Sequence, residues 1–242
     1  MWKWMICLFL LFTAVSYGQF MVEVELGRVS SGYNDLRIPG DTGTLFSLSE
    51  ELETDPEAYY RVRLGYTWGD RHTLLALFAP LAVQAGGQVD REIFFQGKTF
   101  APGTPLYADY RFNSYRLTYR YALKKTESLN LALGFTAKIR DAEIALSDGR
   151  QKSSKPNVGF VPILHFHADW RFAGPFGILL DGDALAAPQG RAEDVLLAAT
   201  YRVDERISAR LGYRILEGGA DNDSVYTFSL FHYLAAGVQV SL

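Results

Sequence analysis

Between Tyr115 and Tyr121 every second residue is a large apolar or aromatic one. Tyr115, Leu117, Tyr119 and Tyr121 share one face of an extended chain, while Arg116, Thr118 and Arg120 share the other. The segment Tyr59–Trp68 repeats the pattern, with Tyr60, Val62, Leu64, Tyr66 and Trp68 opposite Arg61, Arg63 and Gly65. Leu129, Leu131, Leu133, Phe135, Ala137 and Ile139 alternate with Asn130, Gly134, Thr136, Lys138 and Arg140; Ile207, Ala209, Leu211, Tyr213 and Ile215 alternate with Ser208, Arg210, Gly212 and Arg214. Period-two alternation marks a strand with two different environments. Tyrosine and leucine against arginine, strand after strand, describes a wall with lipid on one side and a polar lumen on the other.

Weaker segments extend the series. Gln19–Val29 sets Phe20, Val22, Val24 and Leu26 against Glu23 and Glu25, and Asn157–Phe172 sets Phe160, Leu164, Phe166 and Trp170 against His165, His167, Asp169 and Arg171. Phe176–Ala186, Val195–Val203 and Val225–Leu242 follow. Leu74–Gln84 carries apolar residues on both parities and is placed as a strand by its neighbours. The sequence therefore predicts an all-β fold: a closed antiparallel transmembrane β-barrel of about ten strands in an up-and-down meander, over residues 19–242. The abundance of Tyr (14) and Phe (16) without a continuous apolar helix agrees with strands that average to near-zero hydropathy.

Connections alternate in length. Gly69-Asp70-Arg71, Lys124–Ser128, Ala173–Pro175 and Asp204–Arg206 read as turns, whereas Ser30–Glu57, Ala85–Asp109, Leu146–Pro156, Ala187–Asp194 and Glu217–Ser224 read as loops. Short periplasmic turns and longer outer loops put both termini in the periplasm of a bacterial cell and the barrel in its outer membrane. Three exceptions to the pattern, His232 on the lipid-facing parity, Pro80 and Pro162, all fall about ten residues above the turns, where a strand leaves the hydrocarbon. The acidic run Ser49–Asp55 and the Asp221-Asn222-Asp223 segment are expected as a solvated loop and a polar turn.

Residues 1–18 read as a signal peptide: Lys3 supplies the positive region, Met5–Ala14 the apolar stretch, and Ser16-Tyr17-Gly18 the small residues of a cleavage site. Cys7 lies inside that leader, so the exported chain carries no thiol for disulfide, metal or nucleophile chemistry. A net charge of −3 without a basic block gives no nucleic-acid signal.

On these features the chain resembles small bacterial outer-membrane β-barrels, with Leu242 where such proteins usually end in an aromatic residue. The resemblance implies outer-membrane lipid as surroundings and supplies no activity. Omptin proteases are similar in strand number and in using Asp and His, but their catalytic groups stand at the outer rim and their motifs are not matched here. Lipid A deacylases use a lipid-facing Ser–His pair, whereas His232 and Ser229 fall on opposite parities.

Inward parity predicts a charged lumen: Arg61, Arg63, Arg116, Arg120, Lys138, Arg140, Arg210 and Arg214 against Glu23, Glu25, Asp169, Asp181 and Asp183. Confined charge must pair, hold water or bind an ion. A tight Ala173-Gly174-Pro175 turn would set His165 opposite Asp183 and His167 opposite Asp181, a group that could be structural, an acid–base site, or metal ligands. As a structural group it would be a closed set, replaceable as a whole by apolar residues. No cofactor or metal is required by the sequence. Three functional readings follow, in this order: a structural or surface-binding envelope protein with a plugged lumen; a narrow channel preferring small anions; and a hydrolase using the His–Asp group.

Overall fold

The computed structural model describes residues 18–188 and 190–242, so the leader expected over residues 1–18 lies, apart from Gly18, outside the described residues. Ten long strands follow one another: β1 (Gln19–Arg37), β2 (Glu57–Trp68), β3 (His72–Ala79 continued by Ala82–Gln88), β4 (Pro105–Lys125), β5 (Leu129–Ser147), β6 (Lys152–Ala173), β7 (Phe176–Ala187), β8 (Gly190–Arg202), β9 (Ile207–Asn222) and β10 (Val225–Ser241). Each pairs antiparallel with the next, and β10 returns to β1 from Met21↔Ser241 to Arg37↔Tyr226. The sheet is therefore a closed meander of ten strands. Closure removes the unpaired edge that lipid could not solvate.

The alternation sorts as physics requires. Leu211 and Phe135, on the outward parity, are 70% and 67% exposed, while Thr136 and Arg214, on the inward parity of the same strands, are buried. Outward aromatic residues gather at two heights. Phe20, Tyr66, Trp68, His72 and Tyr119 cluster near the termini, and Tyr60, Phe78 and Tyr115 cluster higher up. Trp68 and Tyr60 are eight residues apart on β2, which at about 3.3 Å per residue and a tilt of about 40° gives roughly 20 Å, close to the apolar band of such barrels.

At the end carrying the termini the connections are short. Gly69 and Asp70 both adopt positive φ (55° and 61°) to reverse the chain between Trp68 and His72. At the other end the strands run well beyond the upper aromatic ring, up to 22 residues in β6. Most segments expected as long loops are therefore strand. Ser30–Arg37, Ala85–Gln88, Pro105–Asp109, Lys152–Pro156, Gly190–Asp194 and Glu217–Asn222 extend the wall, because a polar strand outside the membrane shows no lipid-facing alternation.

The two remaining long connections fold inward over the loop end. Leu52 from the acidic run, with Leu48, Phe46 and Ile38 before it, meets Ile93, Phe95 and Phe100 of a small hairpin (Ile93–Phe95 with Lys98–Phe100) in one apolar cluster. Glu51 of that run is tied to Arg91 at 2.8 Å, so the run is partly packed, not simply solvated.

Two ladders open at this end, each at a proline. β2 and β3 pair only up to Val62↔Phe78; above it Pro80 offers no N–H, and the upper half of β3 pairs instead with Glu53–Thr54. β6 and β7 pair only up to Leu164↔Ala184, just below Pro162, which stays paired with Ala137 on its other side. The seam gives a direct check on closure. Val24 and Val238 are register partners on the lipid face, so the variant Val24→Cys with Val238→Cys should form a disulfide on mild oxidation. The unboiled protein should also migrate faster than the boiled one on denaturing gels. Failure of the crosslink in folded protein would refute the β1–β10 pairing.

Candidate functional site

The inward residues at mid-height come from six strands. β1 supplies Glu23 and Glu25, β2 Arg61 and Arg63, β4 Arg116 and Arg120, β7 Asp181 and Asp183, β8 Asp194, and β9 Arg210 and Arg214. Their ion pairs join into one network. Arg214 binds Glu25 (2.8 Å) and Asp194 (2.5 Å), and Arg210 binds Glu23 and Glu25 at 2.7 Å each. Arg63 reaches Glu23 at 3.4 Å and Asp181 at 3.1 Å; Arg120 lies 3.6 Å from Asp181. Arg61 binds Asp194 at 2.8 Å.

The network exists because two carboxylates face each other. Asp183 and Asp194 are direct register partners, and like charges in that position repel. Arg116 resolves this by bridging them, at 2.7 Å to Asp183 and 2.6 Å to Asp194. Several of these contacts cross the lumen: β2 and β7 lie on opposite walls of a ten-strand ring, and the Arg63–Asp181 pair joins them. Above the network Tyr59 and Tyr233 meet edge to face at 4.7 Å, with Leu81, Leu216 and Phe231 behind them. Ions and aromatic rings together fill the lumen.

The imidazoles sit at the lower margin of this plug. His165 is 2% exposed; its Nδ1 lies 3.0 Å from Asp183, and its Nε2 has no hydrogen-bond partner. His167 Nδ1 lies 2.9 Å from Asp181. These are the cross-strand pairs His165↔Asp183 and His167↔Asp181. The four residues are not a closed set, however, because Asp183 also accepts from Thr136 (2.6 Å) and Arg116, and Asp181 serves Arg63 and Arg120. Replacing all four by apolar residues would leave Arg120 without a carboxylate and would take one of two from Arg63 and Arg116, which argues against the tolerance expected of a closed set. Among the described residues neither imidazole is hydrogen-bonded to a hydroxyl that could act as nucleophile. Among the described residues no group of three or more His, Cys, Asp and Glu is spaced to hold a metal ion.

Three of the inward charges stand apart from the network. Asp169 lines a cavity of about 190 Å³ below the plug, together with His167 and Arg171. Lys138 and Arg140 line a cavity of about 410 Å³ above it. The residue that sequence reasoning misplaced is Asp194, assigned to the loop Ala187–Asp194 although it lies in β8 and holds three arginines. Extending the parity of Leu196, Ala198 and Thr200 by one step would have turned it inward.

This geometry ranks the residues by stability. Asp194→Ala leaves Arg61 with uncompensated buried charge, takes one of two carboxylates from Arg116 and Arg214, and should cost about 3–5 kcal/mol. His167→Phe leaves Asp181 with two arginines and should cost on the order of 1 kcal/mol. Urea unfolding in detergent, followed by tryptophan fluorescence, measures both; the reverse ranking would remove Asp194 as the hub.

The sequence matches no protein-family model, and no curated protein matches it. Solved structures resemble it in fold. The outer-membrane protease OmpT of Escherichia coli superposes with a TM-score of 0.57 at 12% identity, over 93% of this chain and 97% of that one. Ail of Yersinia pestis, solved with the heparin analogue sucrose octasulfate, gives a TM-score of 0.42 at 9% identity, over 93% and 99%. At such identities the likeness is one of architecture alone. Together with the closed ten-strand sheet and its aromatic rings, the likeness to OmpT shows that the chain has the fold of the small bacterial outer-membrane β-barrels.

Proposed function

We propose that this protein is a non-conducting outer-membrane barrel that binds a ligand at its loop end, with both termini in the periplasm. One observation carries the reading: a connected network of six arginines and five carboxylates spans the lumen from wall to wall beneath a packed apolar layer. A through-channel needs a continuous wet path, and ion pairs buried this deeply are costly to part. The space open to a ligand lies instead at the loop end, in cavities of about 570 and 410 Å³ beside the two opened ladders. The near balance of the network, six arginines to five carboxylates, also argues against the anion channel, because those arginines are occupied by carboxylates. The hydrolase reading loses its support in the same way, since Asp181 and Asp183 are held by arginine.

Purified barrel reconstituted in planar bilayers should give no steady conductance. Stepwise currents would overturn the plugged-lumen reading, and anion selectivity in them would favour the channel. For orientation, the β9–β10 hairpin and the β4–β5 turn lie at opposite ends of the barrel. In intact cells Asp223→Cys should react with a membrane-impermeant maleimide and Glu127→Cys should not. The reverse result would invert the barrel.

A further inference from the structure

Lys138 lies on the inward face of β5, one step above Thr136, and is 3% exposed. Its ammonium sits 4.8 Å from the ring centroid of Phe112, and among the described residues no carboxylate comes within ion-pair distance of it. Arg140, two residues on, donates to Asn157 Oδ1, and its Nε is buried without a partner. Both side chains line the cavity of about 410 Å³ above the plug, whose other walls include Tyr110, Leu216, Phe231 and Glu217, the last occupied by Arg191 at 2.7 Å. A buried ammonium with no carboxylate in ion-pair contact is costly to hold, and a ring face compensates only part of that cost.

The cavity also opens sideways. Phe160 and Val161 of β6 and Leu185 and Ala187 of β7 line it where the β6–β7 ladder has parted above Leu164↔Ala184. Phe160 is 67% exposed on the outer surface near the upper aromatic ring, so the gap faces the membrane's outer margin and is apolar on both sides. A cationic floor, aromatic walls and an apolar lateral exit have one complementary ligand chemistry.

We propose that this chamber binds an anionic amphiphile, a carboxylate or phosphate head on an acyl or aryl tail, with the head on Lys138 and Arg140 and the tail leaving between β6 and β7. The proposal rests on the reading that the loop end is the binding face, and it names the ligand class. Lys138 neutralises the head in a site of low dielectric, where the attraction is strong, and Arg140 supplies directional donors. The tail replaces water against the ring faces.

The test uses the full barrel in phosphatidylcholine nanodiscs. Isothermal titration with 4-phenylbutyrate should show binding that weakens about tenfold or more in Lys138→Met and returns in Lys138→Arg, which keeps the charge. Neutral 4-phenylbutanol should bind more weakly and respond little to either change. Retention of the gel shift between unboiled and boiled samples establishes that the variants are folded. In nanodiscs containing phosphatidic acid, native mass spectrometry should find lipid adducts that fall in Lys138→Met if the head comes from the bilayer; phenylbutyrate binding without such adducts assigns a free acid. Binding of neither probe, or equal binding by folded Lys138→Met, overturns the proposal. The two readings separate cleanly: a silent barrel that binds neither probe loses the chamber but keeps the plug. A conducting barrel that binds through Lys138 loses the plug but keeps the chamber.

Discussion

Arg116 is the side chain on which the interior depends. Two aspartates from adjacent strands meet at the same height, and in a lumen shielded from water their repulsion would force one to take up a proton or the strands to separate. A single guanidinium can serve both because its planar fork presents separate N–H groups to separate carboxylates. Lysine in that place would offer a point charge and could not bridge in the same geometry. From this bridge the remaining pairs follow: Asp194 still has acceptor capacity, which Arg61 and Arg214 use, and Arg214 carries the chain of contacts on to Glu25.

The lipid-facing wall was legible in the sequence because the membrane imposes one rule on every strand. Tyr115–Tyr121 and Ile207–Ile215 alternate as they do since a charged residue in hydrocarbon has no cheap partner, so little else is permitted there. The pairing of His165 with Asp183 was legible for a related reason: a short turn at Gly174 fixes register, and register fixes every cross-strand neighbour in that hairpin.

What escaped sequence reading lies where that rule relaxes. Lys152–Pro156 and Glu217–Asn222 are strands above the membrane, polar on both faces, and so they look like loops. Asp194 sits at the edge of the same zone, and its flanking Arg191, Glu193 and Gly190 suggest a solvated turn. Leu74–Gln84 is ambiguous for the opposite reason. Leu75, Leu77, Leu81 and Val83 face inward and are buried, giving the lumen an apolar stripe, so lipid side and lumen side read alike. The partners of a buried charge depend on which walls face each other across the ring, and no local spacing encodes that.

The seam and the hub also set an order of events during folding. Met21 pairs with Ser241, and Asp194 gathers partners from β2, β4 and β9. Contacts between residues so distant in sequence reward the chain only after most of its loop-closure entropy has been spent. The neighbouring hairpins can zip locally, but Arg61, Arg116 and Arg120 then stand without their ion-pair partners until β7 and β8 bring Asp181, Asp183 and Asp194. A half-made barrel therefore carries a positive inner surface that the finished one conceals, and the late arrival of those aspartates acts as a lock on closure.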